Sequence, residues 1–298
     1  MKFENIRVMN FENALRGMRN PKNSWHLSDS EYGICHFEDY NDVVSDCVTK
    51  YWDEYDIGTG DNDDKDYPFF DSMCDDMDKN ILIHADGDYV EYAAIGPKDM
   101  RLAQGLIKAG PEHRKFLRQI FVSVDITAPL YWWKEFDTYK VGTVANSTST
   151  MHKVTSKPIT LESFEIDDYC PEVFTSTEEI DYFIQFLEGL RTKYLDFIAM
   201  SKDANLSEDD RKMYADRAQK VWKELIRWIP ESWLQTRTVT MNYENLLAIC
   251  SKSQRRFHKL NEWSGKIDNS LENFIKMARE LPYASYFIFI DEQTSWEH

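Results

Sequence analysis

The chain has 298 residues, 42% of them hydrophobic and 29% charged, which excludes a disordered or collagen-like protein and provides for a sizeable core. Its 35 basic residues against 52 acidic ones leave a net charge of −17, which opposes nucleic-acid backbones and anionic membrane surfaces. No apolar run reaches the roughly 18 residues of a membrane span, and the opening residues lack an apolar signal core. The five cysteines are widely spaced, without a C-x-x-C pair, so reduced thiols and a cytoplasmic location are expected.

The charge is concentrated. Between Glu38 and Asp78, fifteen carboxylates accompany only Lys50 and Lys65. Gly58, Gly60 and Pro68 interrupt any helix there, and a solvated loop is expected. A calcium loop beginning at Asp61 would place Lys65, Asp66 and Ser72 where a carboxylate, a glycine and a glutamate are needed, so that pattern fails.

Downstream, Asp99 to Ala109 carries Leu102, Leu106 and Ile107 on one face between Pro97 and Gly110, which predicts a short helix. Ile120 to Ile126 alternates and is β-branched, which predicts a strand ending at Pro129. A helix follows from Pro129, with Tyr131, Trp132, Trp133 and Phe136 better suited to a core than to a ligand platform. Val141 to Thr150 is small and hydroxyl-rich, and reads as a loop able to donate to anions. Ser176 to Glu179 forms a capping box before apolar residues spaced at three and four from Ile180 to Ile198. Ser207 opens a second long helix that Pro230 stops, and the two are expected to pair antiparallel. Leu234 to Thr240 is strand-prone, Asn242 to Cys250 helical and Asn269 to Glu280 helical, before a strand-like SYFIFI tail. One domain over residues 1–298 is expected, interrupted by an acidic insertion over 24–95.

Phosphate-binding glycine loops, zinc-protease helices and nucleophile elbows are missing from the sequence, and the seven histidines show no helical ligand pairing. One region has a family pattern. HRKFLRQIFVSVDITAPLYWWKEFDTYKVGTVANSTSTMH, His113 to His152, resembles the core of the flavin-dependent thymidylate synthases. That family has a His before a strand, an Ala-Pro opening a helix, then Arg-His-Arg-x-x-Ser and Asn-Glu-x-Ser-x-Arg. Here Ala128-Pro129 keep their spacing, the first motif appears as Thr138-Tyr139-Lys140-Val141-Gly142-Thr143, and the second as Asn146-Ser147-Thr148-Ser149-Thr150-Met151. A second block has Ile229-Pro230, Asn242 twelve residues after the Pro, then Arg255, His258 and Glu262-Trp263. NALRGMRN, Asn13 to Asn20, is similar to the family's opening helix, so the resemblance covers roughly residues 8–22 and 97–282.

The resemblance implies an α/β (α+β) fold with a sheet packed against long helices, and a homotetramer with sites shared between subunits. It implies FAD as the cofactor, NADPH as reductant, and methylation of dUMP or a related pyrimidine deoxynucleotide from methylenetetrahydrofolate, a folate. By position, Arg255 would activate the pyrimidine. His113, Thr138, Tyr139, Lys140, Thr143, Asn146 and Asn242 would hold the flavin, and Ser147 and Ser149 the substrate. The sequence departs from the pattern where it matters chemically: Thr138 and Lys140 replace two arginines, Ser147 a glutamate and Met151 an arginine, so bidentate phosphate contacts are lost. The alternative is a non-catalytic oligomeric protein that keeps the fold and binds a nucleotide or flavin. A nucleic-acid mimic built on the acidic segment is a third reading.

Overall fold

The computed structural model describes residues 1–55, 80–139, 141–167 and 178–292. In chain order its strands are β1 (Lys2–Met9), β2 (Glu31–His36), β3 (Leu82–Asp86), β4 (Tyr89–Ala94), β5 (Phe121–Pro129), β6 (Val144–Ser147) and β7 (Leu234–Asn242). They form a four-stranded sheet in the order β1-β5-β7-β6 and a three-stranded sheet in the order β2-β4-β3. All pairings are antiparallel, and helices fill the connections, so the fold mixes helices with antiparallel sheet.

Alternation explains the larger sheet. Val122, Val124 and Ile126 of β5 and Val239 and Met241 of β7 are fully buried, whereas Ser123, Asp125 and Thr127 lie opposite Thr240, Thr238 and Thr236 on the polar face. There the Thr127 and Thr236 hydroxyls meet at 2.7 Å, and Thr238 donates to Asp125 at 2.5 Å. A one-sided core is the usual state of an antiparallel sheet.

The Leu130–Phe136 helix follows Pro129 directly, and its aromatic run is core. Trp132 stacks on Phe136 at 5.1 Å and meets Trp263 at 4.6 Å, while Trp133 packs edge-on against Trp132 at 4.9 Å and donates its indole N–H to the Gln235 carbonyl at 3.0 Å. The Glu178–Ser201 and Glu208–Trp228 helices pack on each other as a hairpin, the second capped by Ser207, which accepts from the Asp210 amide at 3.1 Å. The box expected at Ser176 lies outside the described residues. Leu187 and Leu225 join Val154, Ile159 and Phe164 in a small satellite core.

Some segments take other shapes than their patterns suggest. Within the acidic segment, Tyr40–Tyr55 is a helix, because Tyr40, Val44, Cys47 and Tyr51 recur at helical spacing and turn inward while Asp42 and Asp46 face out. The remaining residues of that segment, 56–78, lie outside the described part. The hydroxyl-rich stretch holds β6, an exposed edge strand that pairs with β7 from Val144↔Thr240 to Ser147↔Arg237. The last predicted helix shortens to Phe274–Arg279, because Asn273 caps it by accepting from the Lys276 amide at 2.9 Å. The SYFIFI tail is no strand. Tyr286 to Ile290 are buried at every position, which helical turns allow and a strand with one wet face does not.

The three-stranded sheet and the Tyr40–Tyr55 helix belong to the same core as the larger sheet. A buried ion pair joins the parts. Arg19, from the Phe11–Arg19 helix, donates to Asp99 at 2.5 Å, and Ser28 and Ser30 donate to the other carboxylate oxygen at 2.5 and 2.6 Å. Asp99 sits in the first turn of the Pro97–Lys108 helix, whose Lys98 and Asp99 amides are capped by Asp29. A side chain at Gly96 would lie 2.3 Å from the Asp29 carboxyl carbon, so this approach requires glycine. Replacing Asp99 by Ala leaves Arg19 charged and buried, a mechanism that costs about 3–5 kcal/mol. Urea unfolding of Asp99→Ala is expected to show a loss of that size, and a midpoint equal to wild type would contradict the role assigned to the pair.

Candidate functional site

The β5–β7 pairing brings together segments that lie a hundred residues apart. Helix Leu130–Phe136 leaves the end of β5, helix Tyr243–Cys250 leaves the end of β7, and the turn after the first of these helices meets the start of the second. Asn242 and Asn245 form a reciprocal cap there: Asn242 accepts from the Asn245 amide at 3.0 Å and Asn245 accepts from the Asn242 amide at 3.1 Å. The Asn245 side-chain amide also donates to the Val141 carbonyl. Gly142 has φ +83°, and a Cβ there would lie 2.9 Å from the Asn242 amide nitrogen, so conformation and space both call for glycine. Thr143 donates back to the Tyr139 carbonyl at 2.9 Å, closing the turn.

Tyr139 forms one wall. Its ring meets Trp263 edge-on at 5.8 Å, and its hydroxyl accepts from Gln254 at 3.2 Å. Partial burial pushes the phenol up from its ordinary value, so it stays protonated and can donate. Beneath it His258 stacks on Trp263 at 4.7 Å, with Nε2 at 3.2 Å from the Ile249 carbonyl and Nδ1 at 3.4 Å from Glu135. Burial likewise raises the Cys250 thiol, which stays neutral and is no nucleophile.

Of the residues expected to hold a flavin, the fold gathers Tyr139, Thr143 and Asn242 in this turn. Asn146 continues along β6 opposite Thr238, and Ser147 lies opposite Arg237. Ser149 lies just before the helical turn at Thr150–Lys153, its carbonyl accepting from the Lys153 amide at 2.9 Å. Thr138 spends its hydroxyl on the Glu135 carbonyl at 2.7 Å, and Lys140 lies outside the described residues. His113 is exposed in a turn whose neighbour Arg114 bonds Glu244 at 2.9 Å.

Arg255 follows Gln254 but serves the opposite side. Its guanidinium pairs with Glu292, stands 4.0 Å from Asp291 and lies over the Phe289 ring at 5.6 Å. Arg279 shares Glu292 through bonds of 2.9 and 2.7 Å and covers the same ring at 4.1 Å. Two residues, Asn245 and Gln254, are not site candidates in the sequence. Asn245 carries a signal, its place three residues after the helix-capping Asn242; Gln254 carries none. Arg237 lies over Trp133 at 4.2 Å and pairs with Asp137 at 2.8 Å, a contact made only by tertiary folding.

Among the described residues, no group of His, Cys, Asp or Glu is arranged to hold a metal, and no helix is long and apolar enough to cross a membrane. No family model and no curated protein sequence matches the chain. Among solved structures, the chain is similar to a flavin-dependent thymidylate synthase from Helicobacter pylori complexed with FAD and dUMP. The identity is 14%, over 83% of this chain and 92% of that one, with a TM-score of 0.37. It is also similar to thymidylate synthase X from the same bacterium, with FAD and dUMP, at 13% identity over 89% and 98% of the two chains and a TM-score of 0.38.

The Arg279 hydrogen bonds and the two guanidinium charges hold the Glu292 carboxyl below its ordinary value. A depressed carboxylate contributes stability that is complete above its unfolded pKa, about 4.3, and is lost as pH falls through the lower folded value. Wild type is therefore expected to be more stable than Glu292→Gln by a constant margin from about pH 6 to 8, with the margin shrinking below about pH 4. Thermal melts across that range test it; a margin that persists unchanged in acid would exclude the ion pair as its source.

Proposed function

We propose that the chain binds FAD and a pyrimidine deoxynucleotide, dUMP or a relative, and transfers a one-carbon unit from methylenetetrahydrofolate with reduction by flavin hydride and NADPH as the electron source. The observation that supports this reading is the meeting of the two resembling blocks: Tyr139 with Gln254, Val141 with Asn245, and Gly142 with Asn242. Nothing in local sequence requires residues so far apart to adjoin, and a ligand-binding turn gives the pattern a common purpose.

The turn has the chemistry for a flavin. Tyr139 offers a ring face and a protonated hydroxyl, Thr143 and Asn146 polar donors, and Asn242 an amide beside a glycine backbone that a ligand can approach closely. His113, Lys140, Ser147 and Ser149 take the remaining flavin and substrate roles that the resemblance assigns. Arg255, which faces Glu292 on the side away from Tyr139, takes the role that the resemblance assigns it, a positive charge for the pyrimidine as its C5 becomes nucleophilic. FAD, when bound, supplies the hydride.

Purified protein is expected to carry flavin absorbance or to gain it on adding FAD. Tyr139→Ala should weaken FAD binding about tenfold, as the loss of one ring contact and one hydrogen bond implies. Protein that takes up no flavin would refute the proposal. Growth of a thymidine auxotroph carrying this gene without thymidine would exclude the non-catalytic reading, which gains its support from Thr138, whose hydroxyl is committed to its own helix end in place of a phosphate-binding arginine.

The homotetramer belongs to the same proposal. Tyr182, Phe186, Leu195, Met200 and Trp228 leave the helical hairpin with exposed apolar surface, which a second copy would cover. Tyr182→Glu with Phe186→Glu is expected to shift the mass measured by light scattering to a smaller species; an unchanged mass would move the interface elsewhere.

A further inference from the structure

A cavity of about 400 Å³ opens between the Arg255–Lys266 segment and the Phe274–Arg279 helix. In a chain of net charge −17 its lining holds four cations, Arg255, Lys266, Lys276 and Arg279, and no carboxylate. The rest of its polar lining includes Ser264 and Asn273. We infer that this cavity binds a phosphate monoester, with Arg255, Lys276 and Arg279 on the phosphoryl group.

Guanidinium and ammonium groups that converge on one cavity, with their carboxylate partners Glu272, Asp291 and Glu292 outside its lining, describe an anion site. Arg255 Nε and Ser264 Oγ are buried and lack a hydrogen-bond partner, although both line the cavity. Unpaired buried donors of this kind are costly unless a ligand meets them. The guanidinia are also held in place before any ligand arrives, both resting on the Phe289 ring. Lys266 contributes mainly charge, because its ammonium already donates to the Arg255 and His258 carbonyls, each at 2.9 Å.

Glu292 is an internal stand-in for such an anion, since Arg255 and Arg279 both bond its Oε1. A phosphoryl group has three oxygens for the donors that a carboxylate leaves over: Arg255 Nε, Arg279 Nε and the Lys276 ammonium hydrogens not given to Glu272. The volume is several times that of inorganic phosphate and lies within the range of small-molecule pockets, about 300–1,000 Å³. The anion is therefore the end of a larger molecule, with Ser264 placed for one of its hydroxyls. The cavity shares Arg255 with the pyrimidine role proposed above, but Lys276 and Arg279 take no part in the Tyr139 turn, so phosphate binding here is expected whether or not FAD binds.

Titration calorimetry of the full chain in phosphate-free buffer, with inorganic phosphate and ribose 5-phosphate as probes, tests it. Both are expected to bind with one site, ribose 5-phosphate the more tightly. Lys276→Ala should weaken each about tenfold, the size of one charge-assisted contact, whereas Lys212→Ala on the hairpin should change neither. Glu292→Gln should tighten binding about tenfold by releasing both guanidinia, a gain that a misfolded variant does not produce. Absence of binding in wild type and Glu292→Gln alike would overturn the inference. So would equal losses in Lys276→Ala and Lys212→Ala, or ribose 5-phosphate binding no tighter than inorganic phosphate.

Discussion

The structure depends on the register of one strand pair. β5 and β7 align over nine residues, from Phe121↔Asn242 to Pro129↔Leu234. That alignment buries Val122, Val124, Ile126, Val239 and Met241 on one face and sets threonines and Asp125 on the other. It also positions both exits. At one end the Leu130 and Tyr131 amides bond the Trp233 and Glu231 carbonyls at 3.1 Å each, fixing where the aromatic helix begins; at the other the Tyr243 amide bonds the Ile120 carbonyl at 3.0 Å. A slip of one residue would reverse every side chain in the pair and carry Asn242 away from Gly142. Core packing and the candidate site are thus consequences of one pairing.

This pairing also accounts for what was legible in the sequence. The long helices, β5, β7 and the Tyr243–Cys250 helix declare themselves because local alternation, spacing and caps agree with their tertiary burial. β1 does not, since a register shift between Glu4 and Arg7, with Asn5 at φ 53°, breaks the period of two. β6 does not either: all four of its residues are exposed, so no apolar pattern marks it, and only the open edge of β7 makes it a strand. The buried tail from Tyr286 to Ile290 has strand-forming residues, but its neighbours enclose it on every side, which composition alone cannot signal.

For the candidate site, spacing named segments that the fold brings together and could not orient side chains within them. Tyr139 and Asn242 were readable through the family pattern. That Gln254 faces Tyr139 while Arg255 faces Phe289 and Glu292 was not, because the helical turn at Lys252–Arg255 sends adjacent residues about 100° apart. The direction of Arg255 is settled by the C-terminal segment, whose burial at Phe289 brings Glu292 within reach of two guanidinia.

Charge follows the same logic of place over composition. Two guanidinia on one ring would repel each other, and they remain together because Glu292 shares an oxygen between them and Phe289 presents its π surface to both. The net −17 says nothing of this arrangement, because much of it belongs to the carboxylates between Glu38 and Asp78. Over distances beyond about 10 Å that charge is screened by salt. Within the cavity the nearest groups decide the potential, and there the lining is cationic. An acidic protein can therefore hold a site for an anion, provided the carboxylates that approach its cations, here Glu272, Asp291 and Glu292, stay off the cavity lining and act as partners that a stronger anion can join or displace.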